Sequence, residues 1–354
     1  LMQLKLTSKE RLVLYGLARY PGLSDIDLAT RIDVDRSTIF KSKRKFRDWQ
    51  LIRLMNVPSG ITVGGEILTS IFAKFSPTAP IEVRSESEAL LEWIGHPNCV
   101  FHTATDTESF SMVYSRSLSD FKSSFDPLID EYAQKGFIDD IICSHYPFAS
   151  TNHSADAAVA VNRIFELDRP DLPQELISES SSQLEDMKLT DKDKLTLYAF
   201  VKYPMLSDLE LSRRTGISRP TISGKRTKFF QNGLLTREAN IDWQKICCEL
   251  ITFYRLELGR GVSWEEQETV HTSLRRMGAP LFTYLQRGEA FGAFLSENYT
   301  DLKNKVNAEI RTLAEMALID DPPMLMTMPL DMIVESKRDY APMVAGMLGI
   351  EKEI

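Results

Sequence analysis

The segment from Leu6 to Leu54 aligns without a gap on Leu189 to Arg237, an offset of 183 residues. Leu6-Thr7 falls on Leu189-Thr190, Tyr20-Pro21 on Tyr203-Pro204, and Leu23-Ser24-Asp25 on Leu206-Ser207-Asp208. Arg36 matches Arg219, Thr38-Ile39 matches Thr221-Ile222, and Lys45-Phe46 matches Lys228-Phe229. A two-copy repeat at so long a period implies duplication of a whole domain or domain pair, not a solenoid. Two copies of one module in one polypeptide can form an internal pseudo-dimer.

Within the first copy, Leu12, Leu14, Tyr15 and Leu17-Ala18 keep helical spacing up to Tyr20-Pro21. Ser24 is placed to cap a second helix that carries Ile26, Leu28 and Ala29 inward, and a third runs from near Asp35 through Trp49. In the second copy Ser207 caps, Leu209 and Leu211 point in, Gly216 makes the turn, and Ser218 caps the third helix with Pro220 in its first turn. Three helices with a tight turn predict a helix-turn-helix. Leu51–Leu54 and Leu234–Arg237 read as the starts of wings. On the third helix Ile39 and Phe46 must face the core, which turns Ser37, Lys41 and Arg44 outward with Lys45 on the flank. The second copy instead turns Pro220, Gly224 and Thr227 outward, with Lys228 flanking. One face is cationic and the other small and nearly neutral. That predicts unequal half-sites, a second copy contributing mainly shape and phosphate contact, or drift in a copy that has lost specific reading.

Charge follows the repeat. The 354 residues carry a net charge of -8, yet residues 1–58 hold twelve Lys/Arg against six Asp/Glu and residues 184–240 hold eleven against seven. Those stretches are therefore +6 and +4, and the remainder is -18. Local field, not overall charge, decides whether a polyanion is attracted at short range. No apolar run reaches the length of a membrane span and no signal-like amino terminus is present, so no membrane partner is expected. Cys99, Cys143, Cys247 and Cys248 show no paired framework, which points to a reducing, cytoplasmic setting.

After each repeat the same order of elements is predicted. In the first copy these are a strand over Glu66–Phe75, a helix over Ser85–Gly95 with Leu90, Leu91 and Ile94 inward, and strands over Cys99–Ala104 and Phe110–Tyr114. A helix over Ser117–Lys135, using Leu118, Phe121 and Phe125, and a strand over Ile138–Tyr146 complete it. The second copy gives a strand over Ile246–Leu256, a helix over Trp264–Met277, and strands over Leu281–Leu285 and Phe291–Leu295. A helix over Asp301–Ala317 and a strand from Met324 follow. The fold class is thus α+β: two winged helix-turn-helix domains and two ferredoxin-like (βαββαβ) domains by internal duplication. The expected boundaries are 1–60 and 189–242 for the winged domains, 61–166 and 243–354 for the αβ domains, and 167–188 for a Pro-, Ser- and acid-rich linker.

The Leu189–Leu235 segment (LTDKDKLTLYAFVKYPMLSDLELSRRTGISRPTISGKRTKFFQNGLL) and the turn Arg287-Gly288-Glu289, with that element order, resemble the Lrp/AsnC (feast-famine) family of transcriptional regulators. The resemblance implies a DNA-binding regulator acting as a pseudo-dimer on double-stranded DNA, able to associate further as a homodimer, and not an enzyme. Its DNA contacts would be Arg36, Ser37, Thr38, Lys41, Arg44, Lys45, Arg219, Thr221, Lys225, Arg226 and Lys228. It also implies a small-molecule effector such as an amino acid at Arg287, Gly288 and Glu289, and at Asp106, Thr107 and Glu108 in the first copy. Thr107 stands where the second copy has glycine, so backbone approach there is restricted.

No catalytic residue, cofactor or metal is expected. His96-x-x-Cys99-x-x-His102 and Cys143-x-His145 have loose ligand spacing, but His102 and His145 belong to strands predicted at opposite sheet edges. Cys247 and Cys248, adjacent in a predicted strand, would point to opposite faces. No Gly-rich phosphate loop, nucleophile elbow or HExxH pattern occurs. Two alternatives share the architecture: a protein-interaction scaffold, and a sirohaem-decarboxylase-like enzyme. Sirohaem decarboxylases carry a His-Asn-Tyr-x-Arg stretch and then Asn-x-Trp-Phe on their middle strands. Val100–Tyr114 keeps one histidine of that pattern, and Leu281–Leu295 has none.

Overall fold

Local capping sets the helix starts. The computed structural model describes residues 4–155, 157–169, 176–178, 188–246 and 248–351; most of the expected linker and Cys247 lie outside them. The Thr7 hydroxyl accepts from the Glu10 N–H while the Glu10 carboxylate accepts from the Thr7 N–H, a reciprocal cap that opens α1 (Ser8–Arg19). Ser24 accepts from the Asp27 N–H to open α2 (Asp25–Ile32), and α3 (Arg36–Asp48) follows after a left-handed Asp33. Then come β1 (Ile52–Pro58), β2 (Ile67–Phe75), α4 (Ile81–Ser85), α5 (Glu88–Gly95), β3 (Cys99–Ala104) and β4 (Glu108–Ser115). α6 (Leu118–Gln134) and β5 (Ile138–Pro147) follow, and then β6 (Asn152–Ala155), α7 (Ala157–Ile164) and β7 (Ile177–Ser178).

The second copy repeats the caps. Thr190 with Asp193 opens α8 (Asp191–Lys202), and Ser207 with Glu210 opens α9 (Asp208–Thr215), which Gly216 closes at φ 72°. Only glycine reaches that left-handed conformation without a Cβ penalty. α10 (Arg219–Gln231), β8 (Leu235–Ile241), β9 (Leu250–Glu257), α11 (Trp264–Arg276) and β10 (Ala279–Gln286) come next. β11 (Glu289–Ser296), α12 (Tyr299–Glu315), β12 (Met324–Pro329), β13 (Glu335–Arg338) and α13 (Ala341–Leu348) complete the chain. The class is α+β, with antiparallel sheets.

The chain forms two compact units. The first comprises Leu1–Leu54, Asn152–Ile177 and Arg237–Asp331. Here α1, α2 and α3 bury Leu14, Leu17, Leu28, Ile32, Ile39 and Phe46, and Ala158, Val161 and Phe165 from α7 join that core. Its sheet runs β12-β9-β11-β10-β6, with β7 beyond β6. Tyr254, Leu256, Val270, Leu274, Leu302 and Val306 fill the space between sheet and helices. Each such side chain, fully buried, contributes roughly 1.5–3 kcal/mol.

The second unit comprises Met55–Thr151, Ser178–Thr236 and Met332–Ile354. Its sheet runs β13-β3-β4-β2-β5, the same order with the same kind of added edge strand. Ile71, Trp93, Cys99, Val113, Phe121 and Phe125 pack beneath α5 and α6. α13 packs on α8, as α7 packs on α1 in the first unit. Each unit therefore joins the three helices of one copy to the sheet of the other. A tail segment crosses with the helices: β6 pairs with β10, and β13 with β3.

Local details differ from expectation. The helix expected over Ser85–Gly95 is the shorter α5, preceded by the separate α4, and its expected inward Leu91 is 60% exposed while Trp93 is buried. Ile26 and Leu209, expected inside, are exposed. They sit at the second position of eight-residue helices whose inner positions go to Leu28, Ile32 and Leu211. Leu118, at the start of α6, is also exposed.

Candidate functional site

The third helix of each copy offers different chemistry. On α3, Arg36, Ser37, Lys41 and Arg44 are exposed, opposite buried Ile39, Ser42 and Phe46. Thr38 is turned back, its hydroxyl donating to the Asp35 carboxylate at 3.0 Å. Lys45 is committed: its Nζ is 2.5 Å from Glu10 and 4.3 Å over the Trp49 ring. Burial works to raise the Glu10 pKa, but Lys45 and the Thr7 N–H outweigh it and hold the carboxyl below its usual range. On α10, Lys225 is paired with Asp193, and Arg226 lies 2.8 Å from Asp208 and 4.5 Å over Phe200. Ser218, expected to cap this helix with its side chain, makes no such cap bond and instead shares a 2.8 Å hydrogen bond with the Thr221 hydroxyl. Arg219 and Lys228 remain exposed. Several of the residues expected at DNA thus hold the three-helix groups together.

The turns expected to hold an effector are unlike each other. Gly288 adopts φ +95° between β10 and β11, flanked by exposed Arg287, whereas Thr107 has no positive φ. Glu289 is bound to Arg255 on the neighbouring β9. In the first copy, the N–H groups of Thr107 and Glu108 both donate to the Thr105 hydroxyl at 3.3 Å. The Asp106 carbonyl accepts from Arg84 Nη2 at 2.6 Å, and burial raises the Glu108 carboxyl above its usual range. The two turns therefore differ in backbone conformation and in hydrogen-bond partners.

A buried polar row lies beside that turn. His102, 1% exposed on β3, sits opposite Ser111 of β4 and Lys337 of β13 in register. Its Nδ1 is 2.8 Å from the Ser111 hydroxyl and its Nε2 is 3.3 Å from the Glu335 carboxylate. An ionised carboxylate can only accept, so Nε2 donates to it, while Nδ1 accepts from Ser111 in the neutral ring and donates to it in the protonated one. Glu335 is 21% exposed, so the row connects solvent to a fully buried hydroxyl. Lys337 donates to the carbonyls of Ile94 and His96. Arg84 is buried 3.7 Å over Phe75, and burial lowers its pKa.

The first unit has its own buried histidine. His271 on α11 lies 3.0 Å from the Ser154 hydroxyl of β6, and burial, with help from Arg275, pushes its pKa down to about 4. In both units the added edge strand supplies the histidine's partner.

Glu335, Ser111 and Ser154 were not anticipated. The segments ESKR and NHSA have no apolar alternation to mark them as strands, and their partners are far away in sequence. His102 and His145 lie on β3 and β5, with β4 and β2 between them. Among the described residues no group of three or more His, Cys, Asp or Glu is arranged to hold a metal ion. Burial pushes the Cys99 thiol up to about 12 and Cys143 to about 11. No helix among the described residues is long and apolar enough to cross a membrane.

No family model and no curated protein matches the sequence. Solved structures do. The crystal structure of the sirohaem decarboxylase NirDL is similar at TM-score 0.53 and 10% identity, covering 96% of this chain and 98% of that one. NirDL in complex with an iron-uroporphyrin III analogue is similar at TM-score 0.51 and 10% identity, covering 97% and 100%. An AsnC family transcriptional regulator from Agrobacterium tumefaciens is similar over 40% of this chain and 90% of that one, at TM-score 0.32 and 14% identity. The likeness to NirDL is one of fold, and it corrects one expectation. A tandem architecture matched from end to end is that of an enzyme, so the resemblance to regulators no longer supports a chain without catalytic activity.

Proposed function

We propose that the chain is an enzyme acting on a carboxylate-bearing tetrapyrrole, on the architecture of the sirohaem decarboxylases. The observation that supports this is the near-complete, two-copy likeness to NirDL, whose structure has also been determined with an iron-uroporphyrin III analogue. In this reading the three-helix groups with β1 and β8 are winged helix-turn-helix domains. The two sheets with their helices are ferredoxin-like domains by internal duplication, divided near residues 60, 166, 188 and 242.

Loss of carbon dioxide from a side-chain carboxylate leaves the electron pair of the broken C–C bond on the methylene carbon. That carbon takes up one proton, and no oxidant is needed. Delivery through the Glu335–His102–Ser111 row requires the doubly protonated ring, with Nε2–H on Glu335 and Nδ1–H on Ser111, so that Ser111 can hand on its proton and be refilled from Nδ1. Thr103, Ala104 and Asp106 stand where the decarboxylase pattern has Asn, Tyr and Arg, so substrate contacts in this chain come from other residues.

The test is titration with sirohaem and with iron-uroporphyrin III. A bound Soret band and a product lighter by carbon dioxide are expected, with turnover reduced in His102→Gln. Neither binding nor mass loss would end this reading.

The unpaired cations of α3 favour a second activity, duplex DNA binding. Arg36, Lys41 and Arg44 have no side-chain hydrogen bond or ion pair among the described residues, while α10 offers Arg219 and Lys228. Gel retardation with the chain's own upstream region, at low and physiological salt, tests it.

A further inference from the structure

We infer that Phe40 is the base-reading residue of α3 and recognises the C5-methyl group of thymine in the major groove; this rests on the DNA-binding reading above. Phe40 is 65% exposed on a helix whose inner positions are Ile39, Ser42 and Phe46. Arg36 and Arg44 lie one turn before and after it, and Lys41 and Arg47 share the exposed side. None of these four cations has a side-chain hydrogen bond or ion pair among the described residues. Asp48 closes the face at the last turn.

An aromatic ring set among unpaired cations is poorly matched to an apolar protein surface, which would desolvate the charges without compensation. A polyanion suits them, and its groove must then offer something apolar to the ring. In the major groove of DNA, thymine alone presents a methyl group. The second copy has Ser223 at the matching position, beside Gly224 and Thr227. The ring therefore gives the first helix a preference that the second lacks.

The test uses an A·T-rich duplex of about three helical turns and the same duplex with every thymidine replaced by deoxyuridine, compared by fluorescence anisotropy at matched salt. One buried methyl group is worth about fourfold in affinity, so the wild-type chain should prefer the thymidine duplex by at least about fourfold. Phe40→Ala should erase that preference with little change on the deoxyuridine duplex, and Phe40→Leu should keep part of it. Because Phe40 is exposed, an unchanged far-UV spectrum and melting temperature are expected for both variants. If both duplexes bind the wild-type chain equally, the inference fails and the DNA-binding reading stands. If neither binds at low salt, both fail.

Discussion

The Nε2 of His102 lies 3.3 Å from the carboxylate of Glu335, a residue 233 positions later in the chain. That interaction fastens β13 to the edge of a sheet built from the other copy, and it closes a buried polar row.

Removing the carboxylate should loosen the seam. Glu335→Ala leaves the His102 Nε2 proton buried without its acceptor and should lower stability by about 1–2 kcal/mol in urea denaturation. Amide exchange at Ser336 and Lys337 should rise more than at Ile71 in the sheet centre. Uniform exchange in wild type and variant would show that the carboxylate does not hold the strand.

Acid should destabilise the first unit through His271. Its folded pKa of about 4 lies below the unfolded value near 6.5, so the unfolded chain binds more protons between those limits. Stability is therefore full above about pH 6.5 and falls as pH drops toward 4, by about 3 kcal/mol in all. His271→Leu should flatten that part of the pH–stability curve, apart from the absence of the Ser154 bond. The Glu10 and Asp193 carboxyls are held below their usual range, so their contributions disappear at lower pH.

Gly292 of β11 admits no side chain. A Cβ there would stand 2.3 Å from the Phe282 carbonyl and 2.4 Å from the Tyr254 hydroxyl. Gly292→Ala must shift a strand and break the 2.8 Å Tyr254–Thr283 bond, at a cost of about 2–4 kcal/mol. Thermal unfolding of the purified variant checks this, with Gly224→Ala, in open space on α10, as the neutral or stabilising comparison.

The two third helices should respond differently to charge removal. Lys41→Ala and Arg44→Ala should weaken DNA binding, and each should reduce the salt slope by about one unit if its cation neutralises one phosphate. Gly224→Ala and Thr227→Ala should do neither. Lys225→Ala and Arg226→Ala should instead cost about 0.5 kcal/mol of folding stability, since both cations are spent on Asp193 and Asp208. Equal effects on binding from both helices would remove the asymmetry.

The caps at Ser24 and Ser207 and the turn at Gly216 were legible because each acts through neighbours within four residues. The central strands were readable for the same kind of reason, since β2, β4, β9 and β11 each have an apolar run of their own. The exchange was not. Which copy's helices meet which copy's sheet depends on packing across hundreds of residues, and the short polar strands β6 and β13 carry no local sign of their destination. Trp93 in place of Leu91 shows a smaller limit: both are apolar residues of one short helix, and its packing against α6 decides which turns inward. Reading the architecture as that of a regulator also overlooked that an enzyme shares this fold from end to end.

The crossed composition of the units bears on how the protein is made. On a ribosome, α1, α2 and α3 emerge long before β9, β10, β11 and β12, which complete their unit. Over that interval the nascent chain must carry half-finished cores, with apolar surface waiting for segments not yet made. Severing the polypeptide between the copies would leave two fragments unable to mature alone, each acting as the other's missing scaffold.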